Sequence, residues 1–381
     1  MDARPVDPGR RSLLCSLAGL AAAPAWSQGP ASASDPSPRG AAARPRRFGI
    51  AYTSFAVRLR QGRDLIRGAA AGAAAFPAES FVDLCQSFGA DGCQMDTTQL
   101  TSTDDAYLAG VRRRIDEKGL FLELSVGGKF LEDADAFART VALARKLGAA
   151  RLRVALLHGR RYEDFRTKEQ WEEFAGHWRR TLAKAKPWLE DARLPVGIEN
   201  HKDFRIHELV DLIRSVDTPY LGACVDFGNN VAFLEDPLEL AEALAPYAIT
   251  THLKDMGVRP YEKGFELSEV PLGTGFLPLA RMVEVLWKRQ PNLPLCLEMI
   301  TRDPLEVPYL DDAYWTTFGG RDERRIERFR SEVLSKAWPN PLPRITGLPI
   351  DGMIAAEDDN IRRCAAFVRG TLGASAEGPL E

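Results

Sequence analysis

A chain of 381 residues that is 45% hydrophobic and 27% charged has the composition of an ordinary globular protein, long enough for one domain of ~250–300 residues plus extensions. Its formal net charge of −3 gives no support to a nucleic-acid partner, which favours a basic surface. No long charge-free apolar run lies in the body of the chain, so no membrane-spanning helix is expected in the mature protein.

In chain order, the N-terminus comes first and differs from the rest. Arg10-Arg11 precede the mildly apolar SLLCSLAGLAAAPA, and Ala25-Trp26-Ser27 offers a small-x-small cleavage pattern. Residues 1–27 therefore read as a leader for the twin-arginine export route, with a periplasmic destination, and 28–46 as a Pro/Ser/Ala-rich linker. An unstructured tail with a chance arginine pair is the competing reading. Six cysteines include no Cys-x-x-Cys pair and sit mostly among apolar residues. They read as small core residues, not as a disulfide framework or a zinc site.

From residue 47 short apolar runs alternate with longer amphipathic stretches. The predicted strands are RFGIAY (47–52), GCQMD (92–96), LFLELSV (120–126), RLRVALL (151–157), PVGIEN (195–200), LGACVD (221–226), ITTHLKD (249–255) and PLCLEMI (294–300). Between them lie predicted helices such as STDDAYLAGVRRRIDEKG, which opens on a capping residue and closes on Gly. Eight strand–helix units predict an α/β fold, a closed (β/α)8 TIM barrel over 47–345. The remainder, 346–381, is a helical extension and tail whose helix spans 352–372.

Strand side chains alternate between two faces. In a barrel one face meets the helices and the other lines the interior. The outward set is Val196/Ile198, Leu221/Ala223/Val225, Ile249/Thr251/Leu253 and Leu295/Leu297/Met299. The inward set is Gly197/Glu199, Gly222/Cys224/Asp226, Thr250/His252/Lys254 and Cys296/Glu298. The same parity turns Gln94, Asp96, Glu123, Ser125 and Arg153 inward. Unpaired buried charges are costly, so so polar an interior calls for a purpose. Glu199, Asp226, His252 and Glu298 project into the C-terminal mouth, where this fold builds active sites. Three carboxylates and an imidazole repel one another there unless a cation sits between them. An oxygen-rich set with one nitrogen favours Mn2+, Mg2+ or Co2+ over structural zinc.

GIENHKD, GACVDFGNN, THLKD, VPLGTGFLPL and LCLEMI resemble the signatures of the xylose-isomerase-like TIM-barrel superfamily, over residues 47–300. That group contains sugar isomerases, sugar phosphate isomerases/epimerases and endonuclease-IV-type enzymes. The resemblance implies that Glu199, Asp226, His252 and Glu298 are metal ligands. It also implies that Glu199 and Glu298 act as acid–base groups on opposite faces of a bound sugar. Where some branches carry a histidine three residues after the strand-six aspartate, this chain has Asn229. A neutral amide suits a sugar hydroxyl but is a poor base, which argues against a multi-metal phosphoesterase.

Further candidates surround this set. His201 reads as a substrate contact or an ordinary loop histidine. Lys254 shares the parity of His252 and suits an anionic intermediate or a ligand carboxylate. Asp255 is expected to end the strand or pair with Lys254. Glu123 and Arg153 form a buried ion pair or grip substrate, and His158 lies on the correct rim. Lys202 and Asp203 are expected in solvated loop. Gly273 and Gly275 suit a tight turn, with a phosphate cradle as the bolder reading. The long segment 53–78, with Arg58 and Arg60, reads as a lid or a plain extension. Tyr309, Tyr314, Trp315 and Phe318 are expected either to stack on a sugar or to cover the barrel end or a subunit contact.

The expected function is a metal-dependent isomerase or epimerase of a sugar-like hydroxy-ketone, working through a stabilised enediolate. A lyase or dehydratase that eliminates water or an aglycone from a keto-sugar uses the same residues. A non-catalytic, metal-dependent carbohydrate-binding barrel is the third reading. The expected partner is a small carbohydrate, with homo-oligomerisation open.

Overall fold

The computed structural model describes residues 47–60 and 76–373. The leader and linker expected over 1–46, and most of the lid or extension expected after the first strand, lie outside the described residues.

Eleven strands are β1 (Phe48–Ala51), β2 (Gly92–Asp96), β3 (Phe121–Gly127), β4 (Leu152–Ala155), β5 (Val196–Glu199), β6 (Leu221–Asp226), β7 (Ala248–His252), β8 (Asp255–Tyr261), β9 (Gly264–Val270), β10 (Leu295–Leu297) and β11 (Leu305–Val307). Eight of them form one sheet in the order β10-β1-β2-β3-β4-β5-β6-β7. Every pairing in it is parallel. The sheet closes where Leu253, just beyond β7, bridges Leu297 of β10. There Leu253 N–H donates to the Cys296 carbonyl (2.7 Å) and Glu298 N–H to the Leu253 carbonyl (2.9 Å). The (β/α)8 barrel expected from the alternating pattern is the fold.

Local sequence sets the helices. Ala134–Leu147 starts where the Asp133 carboxylate accepts from Ala136 N–H (2.8 Å), and stops at Gly148, whose φ of 70° suits a glycine. Lys168–Ala192 opens with a capping box between Thr167 and Gln170. Pro237, at the first position of Pro237–Leu244, follows Asp236, which caps Leu238 and Glu239. Their apolar faces pack on outward strand residues such as Val196, Ile198, Ala223 and Leu297, all fully buried. At the N-terminal end the Phe121 ring lies over Gly49 and Gly92. A Cβ on Gly92 would lie 2.2 Å from that ring, so only glycine fits.

An antiparallel sheet, β11-β9-β8, is inserted around β10. The sequence reading extended β7 to residue 255 and missed this hairpin. Its alternation is visible afterwards, since Met256, Val258, Phe265 and Leu267 are all buried. The aromatic run after β10 is core. Tyr309, Tyr314, Trp315 and Phe318 are buried, with Tyr314 on Tyr162 (5.1 Å) and Phe318 on Phe233 (5.0 Å). They cover the barrel end, so the sugar-stacking alternative is set aside. The final helix, Ile350–Thr371, packs back near β1. It places the buried Glu357 carboxylate on Val57 N–H (2.6 Å) and on Arg58 (2.7 Å).

Candidate metal centre and active site

The strand ends bring Glu199, Asp226 and His252 to the mouth, and Glu298 follows β10 by one residue. One potential ligand atom from each of the four lies within 4.8 Å of all the others. All four residues are buried. His252 Nδ1 is 3.4 Å from Glu199 Oε1, 3.3 Å from Glu298 Oε1 and 3.8 Å from Asp226 Oδ2. Its other nitrogen, Nε2, lies 2.7 Å from Gln94 Oε1. Gln94 Nε2 donates to Glu123 (3.0 Å), and Thr250 Oγ1 donates to the same carboxylate oxygen (2.6 Å). That chain fixes Gln94 with its oxygen toward the imidazole. Nε2 therefore carries a proton and Nδ1 faces the carboxylates.

His252 Nδ1 has no hydrogen-bond partner in this cluster, and Asp226 Oδ2 has only the Lys254 ammonium, 2.8 Å away. Asp226 Oδ1, by contrast, accepts from Gly228 N–H (2.9 Å) and Asn229 N–H (2.8 Å). An unpartnered imidazole nitrogen facing three buried carboxylates within 4.8 Å of one another fits a divalent cation. Burial opposes charge on His252, but Cys224, Glu298 and Glu199 outweigh it and hold its pKa well above the ordinary imidazole value. A proton or a metal ion answers the same crowding of carboxylates. Cys224 also lies within reach of Glu199 and His252. Burial pushes its thiol up to about 11, so it stays protonated and the oxygen set is the better cage.

Cations hold the free sides of the carboxylates. Arg153 pairs with Glu199 and donates to Ser125 Oγ (3.0 Å). Lys254 contacts Asp226 Oδ2 at 2.8 Å and pairs with Glu298. Burial alone would raise the Glu199 and Glu298 pKa values. Arg153 and His252 instead hold Glu199 well below the carboxylate range, and His252 and Lys254 do the same for Glu298. Thr53 Oγ1 donates to Glu298 Oε1 (2.9 Å), and Asn229 Nδ2 donates to Glu199 Oε1 (2.9 Å).

A cavity of about 160 Å³ opens beside Glu298. His158, His201, Asn229 and Lys254 line it, as the sequence reading placed them near the site. Lys202 and Arg302 line it as well.

Sequence residues 82–317 match the xylose isomerase-like TIM barrel family. The chain belongs to that family. Within this xylose isomerase-like group, the 3-oxo-isoapionate decarboxylase of Pectobacterium atrosepticum is 26% identical over 205 residues, which is 53% of this chain and 70% of that protein. A D-psicose 3-epimerase crystallised in the presence of D-fructose superposes with a TM-score of 0.55 at 15% identity, covering 86% of this chain and 99% of that one. A xylose isomerase-like barrel from Mycobacterium smegmatis, in complex with magnesium, gives 0.50 at 16% identity, over 77% of this chain and all of that one. At such identities the two structures speak to the fold alone.

Several assignments change against the geometry. Glu123 and Arg153 do not pair. Glu123 sits 3.3 Å from Arg151 and forms the floor beneath Gln94, whereas Arg153 joins Glu199. Asp255 does not pair with Lys254; it accepts from the amides of Met256 (2.9 Å), Gly273 (2.9 Å), Gly275 (2.9 Å) and Leu277 (3.2 Å). The glycine turn is thus a cradle for this chain's own carboxylate, and the phosphate reading falls. Lys202 and Asp203 are buried, at 5% and 0% exposure, not solvated. Lys202 also adopts φ 66°, a left-handed conformation unusual for a side-chain-bearing residue. Burial, with Lys254 and Arg302, lowers its pKa to about 8. Sequence reasoning missed Thr53 and Arg302 altogether, because one lies on a short 3-10 turn and the other on a loop, with no strand parity to mark them.

Proposed function

We propose that this barrel is a metal-dependent enzyme acting on a sugar-like hydroxy-ketone by moving a proton at the carbon beside the carbonyl, as an isomerase or epimerase. The observation that carries this reading is the unpartnered His252 Nδ1 facing three buried carboxylates. Glu199, Asp226, His252 and Glu298 would hold the ion. A divalent ion bound there supplies electrophilic polarisation of a carbonyl oxygen. Glu298 is the ligand carboxylate that also borders the cavity, so it meets substrate carbon and transfers the proton. Glu199, held by Arg153 and Asn229, is the expected partner on the other side of the ion, and like Glu298 it is held well below the carboxylate range.

That low basicity favours a second reading, a lyase. Elimination of water or an aglycone expels the leaving group, with the electron pair of the broken C–O bond, from an enediolate formed by proton removal; loss of CO2, as in the name of the relative, instead leaves the electron pair of the broken C–C bond in an enediolate. Decarboxylation needs an electron sink and a later proton donor, not a strong base. The 26% identity to a decarboxylase points the same way.

The test is deuterium incorporation. Mn2+-loaded protein in D2O would be given ketoses, inososes, 3-keto-glycosides and keto-sugar acids, with Glu298→Gln as control and products read by NMR. Exchange at the carbon beside the carbonyl, lost in the variant and with the skeleton intact, supports the isomerase or epimerase. A shortened or dehydrated product supports the lyase. Stoichiometric metal and sugar binding without exchange would leave a carbohydrate-binding barrel.

A further inference from the structure

We infer that the substrate is a keto-sugar acid whose carboxylate is seated on the Lys202 ammonium, between Lys254 and Arg302; this rests on the metal-dependent reading above. The cavity is the first observation. Lys202, Lys254 and Arg302 all line it, beside His158, His201 and Glu298. Each neighbouring cation has its own carboxylate. Lys254 has Asp226 and Glu298. Arg302 makes two contacts to Glu269, at 2.5 and 3.1 Å. Lys202 has none: its ammonium donates to the Asn229 side-chain oxygen, a neutral amide. Among the described residues no ion pair is formed by Lys202, although it is only 5% exposed.

Charge balance makes the same point. The linked set, buried but for the half-buried Arg302, holds four cations, Arg153, Lys202, Lys254 and Arg302, against four carboxylates, Glu199, Asp226, Glu269 and Glu298. It is balanced with neutral His252. A divalent ion adds two positive charges in a region from which water is largely excluded, and uncompensated buried charge is costly. A neutral ketose leaves that excess in place. A keto-sugar acid removes half of it on binding, and the negative charge that develops on the substrate during reaction answers the rest. Placement is consistent as well. Asn229 receives Lys202 on its oxygen and donates to Glu199 from its nitrogen, which ties the anion seat to the ligand set by two hydrogen bonds. Carboxylate is favoured over phosphate because the amide cradle of Gly273 and Gly275 is already filled by Asp255.

Isothermal titration of Mn2+-loaded protein with D-fructose, 5-keto-D-gluconate and D-fructose 6-phosphate tests this. The wild type is expected to bind the keto acid at least ~10-fold more tightly than fructose, about 1.4 kcal/mol. Lys202→Met is expected to erase that preference while Mn2+ affinity, read by EPR, changes little. Lys202→Gln repeats the measurement should the Met variant not fold. Equal or absent binding of acid and neutral sugar by the wild type overturns the inference. So does a preference that survives in both variants. A Lys202-dependent preference for the sugar phosphate overturns the carboxylate assignment. Failure of the wild type to bind Mn2+ is a separate result: it removes the metal-dependent reading, and the three ligands compared on the metal-free protein still decide the role of Lys202.

Discussion

His252 is held by a single amide. Gln94 accepts from Nε2 and is itself held through Glu123, so the imidazole cannot turn without breaking a buried chain. Gln94→Leu removes the acceptor and frees the ring. We expect Mn2+ affinity to fall by ~10–100-fold, the usual effect of losing a partner behind a metal ligand. An EPR titration checks it, with the melting temperature as control. Asp203 gives a prediction of a different kind. Its Oδ1 accepts from His201 and Phe204 amides at 3.1 and 2.7 Å, while Oδ2 has no partner. Burial raises its pKa to about 7, the amide bonds opposing. The native state therefore holds this proton more tightly than the unfolded chain does. The associated stability is full below the unfolded value and is lost as pH rises toward 7. Asp203→Asn keeps an acceptor for both amides and has nothing to ionise. Relative to wild type it should gain on the order of 2–4 kcal/mol between pH 4 and pH 8. Urea melts at the two pH values measure this, and an unchanged difference would sink the idea.

Among the elements, the turn after β9 depends on Asp255. Four amides from Met256 to Leu277 converge on it, and a Cβ on Gly275 would lie 2.2 Å from Asp255 Oδ1. Gly275→Ala should push the carboxylate off its donors, costing ~2–3 kcal/mol through the amides left unpaired. A denaturant titration reads that loss. The strands themselves were legible in the sequence. The spans GCQMD and LGACVD coincide with β2 and β6, and the others differ by three residues or fewer at either end. Parity also aimed Glu199, Asp226, His252 and Glu298 at one mouth, because a barrel strand buries both faces and leaves the odd polar residue conspicuous. Other parts were not legible. The β8–β9 turn, Glu262-Lys263, has none of the Asn-Gly chemistry that announces a hairpin. Lys202 looked like loop because its partners, the Arg161 N–H on its carbonyl and the Asn229 side chain on its ammonium, are far away in sequence. A local pattern cannot report burial by distant loops.

For the whole molecule, the final helix closes on the start of the barrel. Glu357 is fully buried and accepts from Val57 N–H and Arg58. Removing it by Glu357→Ala strands a buried amide and an arginine, and should cost ~2–4 kcal/mol of global stability, read as a lower melting temperature. A cation at the mouth works in the opposite direction. Mn2+ at one hundred times its dissociation constant should add ~2.7 kcal/mol, which EDTA reverses. The seam between β7 and β10 gives that figure a location. Among the described residues one backbone bridge, Leu253 to Leu297, joins the two edges, helped by the Thr251 hydroxyl on Pro294 and Cys296, and β10 is three residues long. His252 stands on one edge and Glu298 on the other. An ion held by both is a rivet across the shortest join in the wall. The amide protons of Leu253 and Glu298, which cross that join, should trade with deuterated solvent quickly in the stripped protein and slowly once the rivet is set.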